Sequence, residues 1–114
     1  MEKIVEQGLL YDFYGELLTA HQKKIYEDFV YHDLSLSEIA EEYKISRQAA
    51  FDLIRRCDQA LQNYEEKLKL VARFNRVRDK IKELNQLAIA EEIDPAILTE
   101  RVNAISEEIL LELL

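Results

Sequence analysis

The sequence predicts an all-α protein, and three observations carry that expectation. Two glycines and one proline punctuate 114 residues, so long stretches hold nothing that interrupts a helix. Apolar residues recur three and four apart through most of the chain. Polar residues suited to helix starts, Thr19, Ser35, Ser46 and Asp94, stand just ahead of these stripes. With 48% hydrophobic and 33% charged residues the chain can bury a core and remain soluble. At this length one domain, or a small domain with a helical extension, is expected.

A first helix is predicted over residues 4–18, where Ile4, Val5, Leu9, Leu10, Phe13, Tyr14, Leu17 and Leu18 form a stripe. Gly8 and Gly15 lie two helical turns apart on similar faces. Both are expected to let a neighbour pack closely, at a cost in helix propensity. Thr19 with Gln22 forms a capping box for a second helix, whose stripe is Ile25, Tyr26, Phe29 and Val30 and which Tyr31-His32-Asp33 closes. Ser35 with Glu38 forms another box and starts a short third helix with Ile39 and Ala40 inside. Tyr43-Lys44-Ile45 supplies a turn, with Ile45 directed at the core. Ser46 then caps a fourth helix in which Ala49, Ala50, Leu53 and Ile54 recur at helical spacing. From Ser35 to Arg56 this is the spacing of a helix-turn-helix, whose second helix normally enters the DNA major groove.

No glycine or proline occurs between Ser46 and Asp94. A seam of Cys57, Leu61, Tyr64, Leu68, Val71, Phe74, Val77, Ile81, Leu84 and Leu87 predicts that the helix runs on, bent or broken near Gln62-Asn63. Asp94 as N-cap and Pro95 at the first helical position begin a last helix, striped by Ile97, Leu98, Val102, Ile105, Ile109, Leu110 and Leu113. These two segments are expected to fold back as an antiparallel hairpin. The expected organisation is a helix-turn-helix domain over residues 1–60 and a helical hairpin extension over residues 61–114. Apolar residues at Ile109-Leu110-Leu111 and Leu113-Leu114 exceed what one hairpin covers, which predicts a homodimer formed through the C-terminal helices.

The formal net charge of −8 argues against a generic nucleic-acid coat. The charge is uneven. Residues 1–60 carry seven basic and twelve acidic side chains, residues 61–90 seven and four, and residues 91–114 one and seven. The middle segment holds a basic strip, Lys67, Lys69, Arg73, Arg76, Arg78, Lys80 and Lys82, able to grip RNA phosphates or simply to form the solvated face of a helix beside the acidic last helix. One cysteine, Cys57, gives no internal disulfide and suits a reducing cytoplasm. His21 and His32 have no thiol or carboxylate at metal spacing, so no metal is expected. No Gly-rich phosphate loop is present, and neither a cofactor nor an enzyme activity is expected. No apolar run is long enough to span a bilayer.

The candidate site is the exposed side of the fourth helix: Arg47, Gln48, Phe51, Asp52 and Arg55. Arg and Gln suit guanine and adenine edges. Phe51 and Asp52 suit a protein-docking surface better, since one is apolar and the other repels phosphate. The same stretches carry a resemblance. Ser35-Leu36-Ser37-Glu38-Ile39-Ala40 and Ile45-Ser46-Arg47-Gln48-Ala49-Ala50 look like the promoter-reading fourth region of bacterial sigma factors. With Leu10-Tyr11-Asp12-Phe13-Tyr14-Gly15-Glu16-Leu17-Leu18-Thr19, the Gln22 to Tyr31 helix and Ser46-Arg47-Gln48-Ala49-Ala50-Phe51-Asp52, the chain is similar to the YlxM family. That resemblance implies a cytoplasmic accessory or regulatory protein of the signal recognition particle pathway, because the family's genes lie beside those for the particle's GTPase and its receptor. The partners it implies are that GTPase, the receptor or the particle's RNA. A sigma-like DNA-binding transcriptional regulator is the alternative.

Overall fold

Capping chemistry decides where the helices begin. In the computed structural model, which describes residues 3–114, Thr19 and Ser35 each hold an extended backbone. Each hydroxyl accepts from the backbone N–H three residues on, at 3.1 Å, while Gln22 and Glu38 reach back to the cap's own N–H at 3.0 and 3.1 Å. Both boxes satisfy donors that would otherwise be orphaned. Ser46 and Asp94 cap their helices through Ala49 and Ala96. The described residues form α1 (Lys3–Tyr14), a 3-10 turn (Gly15–Leu17), α2 (Ala20–Val30), α3 (Leu36–Tyr43), α4 (Arg47–Leu68), α5 (Leu70–Ala88) and α6 (Pro95–Leu113), with no strand among them. The chain divides into two compact units, Met1–Lys69 and Leu70–Leu114.

In the first unit α1, α2 and α3 all pack on α4. Ile25, Tyr26, Ile39, Ala50, Cys57 and Leu61 are fully buried, and Leu10, Tyr14 and Ile54 nearly so. The absent bulk at Ala50 admits α3 close to α4, as a helix-turn-helix requires. Lys44 closes the turn in the left-handed region (φ 56°) and donates its N–H to Ala40. Ile45 and Ala40 are only half-buried, so the tight core of the motif is Ile39 and Ala50.

Four expectations need correction. The first helix stops at Tyr14 and not at residue 18, because Thr19 must be extended to cap α2 and the chain turns through Gly15–Leu17 to reach it. Leu17 consequently points outward. Close packing is required only at Gly15, where an added Cβ would lie 2.7 Å from the Tyr11 ring. At Gly8 it would meet Val30 and Tyr31 at an ordinary 3.7–3.8 Å. The break after α4 falls at Lys69, left-handed at φ 54°, and not near Gln62-Asn63, where Gln59 bonds Asn63 across an unbroken turn. The boundary at 60/61 expected from the sequence lies inside α4, and the units part at Lys69 and Leu70.

The second unit is the antiparallel hairpin of α5 and α6. Leu87 and Ile105 are buried in it. Arg76 pairs with Glu112 at 2.8 Å and Lys80 with Glu108 at 2.6 Å, the complementarity anticipated between basic α5 and acidic α6. The bond to Glu108 raises the Lys80 ammonium pKa. Such exposed pairs orient the helices more than they stabilise them.

Candidate functional site

The buried edge of α4 is Ala50, Ile54, Cys57 and Leu61, spaced four, three and four, which turns Arg47, Gln48, Phe51 and Arg55 out to solvent. Asp52 is half-buried and accepts from the Gln48 amide at 3.1 Å. One of the two amide donors Gln48 could offer a base edge is thereby engaged, as is the nearest carboxylate. Phe51 is 46% exposed. It forms one wall of an apolar depression of about 450 Å³ shared with Ile4, Phe29, Leu36 and Ile54, edged by Lys3 and Arg55. All five predicted residues of this face therefore lie on α4 within three turns, and four of the five are exposed.

The basic strip is distributed differently. Lys67 and Lys69 belong to the first unit, and Arg73, Arg76, Arg78, Lys80 and Lys82 to the second. Arg76 and Lys80 are occupied by α6 carboxylates, and Arg78 lies 3.7 Å from Asp79.

What sequence reading missed is a set of phenol–carboxylate bonds that ties the helices of the first unit to one another. Tyr26, fully buried, donates to Asp58, which also accepts the Gln7 amide at 2.9 and 3.0 Å. Tyr11 donates to Glu27 at 2.6 Å and Tyr14 to Glu65 at 2.5 Å; Tyr31 donates to Asp12, and Tyr43 to Asp28. Burial first, then the bond to a carboxylate, pushes the Tyr43 phenol up to about 12 and those of Tyr11, Tyr26 and Tyr31 higher still. Burial opposes ionisation of Asp28, yet bonds from Tyr43 and His32 outweigh it and hold that carboxyl below its usual range. Five carboxylates of this acidic chain thus serve as internal acceptors. Gln7 was legible in part: it falls on the same turn-to-turn line as Leu10, Tyr11 and Tyr14.

Among the described residues no group of His, Cys, Asp and Glu could hold a metal ion, and no helix is long and apolar enough to cross a membrane. The cap-and-turn motif closed over Ile39 and Ala50, with an outward second helix, defines a helix-turn-helix protein. Its family follows from comparison. Residues 1–101 match the UPF0122 family, described as "helix-turn-helix protein, YlxM / p13 like", and the chain belongs to that family. It is 43% identical over 88 residues to the UPF0122 protein YlxM of Bacillus subtilis, covering 77% of this chain and 80% of that protein. It is 44% identical over 87 residues to a UPF0122 protein of Desulforamulus reducens, covering 76% and 74%. Over 109 residues, 96% and 95% of the two chains, it is 37% identical to the UPF0122 protein BH2485 of Halalkalibacterium halodurans.

Proposed function

We propose that the protein is a non-enzymatic, cytoplasmic accessory protein of the signal recognition particle pathway that binds the particle's GTPase or its receptor through the exposed face of α4. The pathway is supported by what the resemblance to the YlxM family implies, since that family's genes lie beside those for the particle's GTPase and its receptor; the family match itself gives a helix-turn-helix protein. The observation that carries protein docking is Phe51, half-exposed at the centre of the face where a base reader would carry a polar group, over an apolar depression. Asp52 beside it disfavours phosphate. The strip on α5 offers the particle's RNA fewer cations than the sequence suggests, because Arg76 and Lys80 already neutralise Glu112 and Glu108. The second reading, a DNA-binding regulator, draws on the exposure of Arg47, Gln48 and Arg55 on the second motif helix. A pull-down from nuclease-treated lysate separates them. Recovery of the particle's GTPase or receptor supports docking. Loss of those proteins on nuclease treatment, with enrichment of one DNA sequence in its absence, overturns docking in favour of the regulator.

A further inference from the structure

The depression beneath Phe51 is one end of a longer furrow between α1 and α4. Its continuation, about 540 Å³, shares Lys3, Gln7, Arg55 and Asp58 with the apolar end and runs on to Glu6, Gln59 and Gln62. Along α4 the furrow is therefore walled by Phe51, Ile54, Arg55, Asp58, Gln59 and Gln62, a stripe of positions i, i+3, i+4, i+7, i+8 and i+11. It is apolar at its start and polar at its end. This is the geometry that takes one further helix.

The chain itself carries a helix face of matching pattern and length. On α6 the side turned toward α5 follows Leu98, Val102, Ile105 and Ile109, with Ile105 buried. The opposite side is Asn103, Glu107, Leu110, Leu111 and Leu114, positions i, i+4, i+7, i+8 and i+11. Leu110 is 58%, Leu111 73% and Leu114 95% exposed. Each stripe spans twelve residues, about 17 Å of helix. Laid antiparallel to α4, the leucine end of this face meets the apolar end at Phe51. Asn103 meets the polar end at Gln62 and Glu6, and Glu107 falls level with Asp58, one turn from Arg55 and within the stretch that Lys3 lines. Among the described residues neither of those cations has an ion-pair partner, and the Asp58 oxygens nearby are already occupied by Gln7 and Tyr26. Antiparallel alignment also opposes the two helix dipoles favourably.

We infer that the furrow receives α6 of a second copy, and that reciprocal insertion of the two α6 helices makes a twofold dimer with two equivalent α4–α6 contacts. The inference goes beyond the pathway role proposed above: the dimer covers Phe51, so self-association and partner docking compete for one face, and because the test needs only the purified chain each can fail alone. It also differs from a leucine-to-leucine dimer of the C-terminal helices, which would leave Phe51 uninvolved.

The test is the mass of the full-length protein by sedimentation equilibrium from about 1 to 100 µM. The expected result is a dimer that is weakened about tenfold or more by Phe51→Glu, and equally by the pair Leu110→Gln and Leu111→Gln. An equimolar mixture of the two variants regains dimer of intermediate strength, because one intact α6 then meets one intact furrow. Far-ultraviolet circular dichroism matching wild type confirms that each variant folds. The milder Phe51→Gln substitutes if Phe51→Glu does not. A monomer at 100 µM overturns the inference and would include the case of a furrow covered from within its own chain. A dimer that survives Phe51→Glu but not the leucine substitutions overturns it in favour of leucine-to-leucine pairing. Variants that each weaken the dimer but fail to restore it on mixing also overturn it.

Discussion

Removing the Asp58 carboxylate is the most informative single perturbation of the scaffold. Asp58 ties α1 to α4 through the Gln7 amide at 2.9 and 3.0 Å, and α2 to α4 through the Tyr26 hydroxyl. Tyr26 has no exposed surface, so its hydroxyl finds no water when its acceptor goes, whereas Gln7, 7% exposed, borders the open furrow and recovers part of its bonding from water. An orphaned buried donor costs about 1–3 kcal/mol. With one such donor and the amide partly compensated, Asp58→Ala is expected to lose about 2–3 kcal/mol, equivalent to a midpoint roughly 10 °C lower for a domain of this size. Tyr26→Phe removes one hydrogen bond to a charged group and leaves Asp58 with Gln7, so about 1.5–2 kcal/mol is expected. Combined with Asp58→Ala, the phenylalanine relieves an orphaned hydroxyl, and the double variant should fall short of the sum by about 1 kcal/mol or more. Urea unfolding followed by circular dichroism at 222 nm measures all three. The reasoning is refuted if Asp58→Ala lies within about 0.5 kcal/mol of wild type, the range of an ordinary surface change, or if the two substitutions add without coupling.

Further outcomes follow from particular residues. Gly15→Ala should cost about 1–3 kcal/mol, because its Cβ would lie 2.7 Å from the Tyr11 ring. Gly8→Ala, whose added Cβ meets Val30 and Tyr31 only at ordinary contact distance, should gain about 0.5–1 kcal/mol by the same urea assay. Lys44→Gly should gain up to about 1 kcal/mol by relieving the left-handed backbone at φ 56° without touching the exposed side of α4. Burial, with the Asp58 charge adding to it, pushes the Cys57 thiol up from 9.0 to about 11. Its contribution to stability is therefore complete below pH 9 and is lost as pH rises toward 11. Asp28 acts oppositely, its contribution being lost as pH falls below about 3.8. Thermal midpoints across pH should show both limbs, and at pH 8 a disulfide reagent should modify Cys57 rapidly only after unfolding.

Local chemistry was readable from the sequence because it acts within one turn. Thr19 with Gln22, Ser35 with Glu38 and Asp94 with Pro95 each announce a helix start through neighbours three residues away or fewer. The outward face of α4 was readable for a similar reason, since the spacing of Ala50 and Ile54 fixes which side Arg47, Gln48, Phe51 and Arg55 occupy. The break at Lys69 was not, because a lysine in the left-handed region carries none of the glycine or asparagine signal that marks such an end. The Gln7–Asp58 and Tyr14–Glu65 bonds join residues 51 apart, and Tyr26–Asp58 residues 32 apart. No periodicity within one helix encodes such pairs. For the same reason the furrow, made by α1 and α4 together, could not be drawn from either stripe alone.

The central functional claim is that α4 docks a protein component of the signal recognition particle pathway through Phe51. Titrating the purified, nuclease-treated particle GTPase, and separately its receptor, into nanomolar labelled wild-type protein and its Phe51→Ala variant tests this most directly. Self-association contributes nothing at that concentration if its dissociation constant is micromolar. The account predicts saturable binding of at least one of the two, weakened about tenfold or more by Phe51→Ala. Absence of binding to both, or equal binding by the variant, would contradict it.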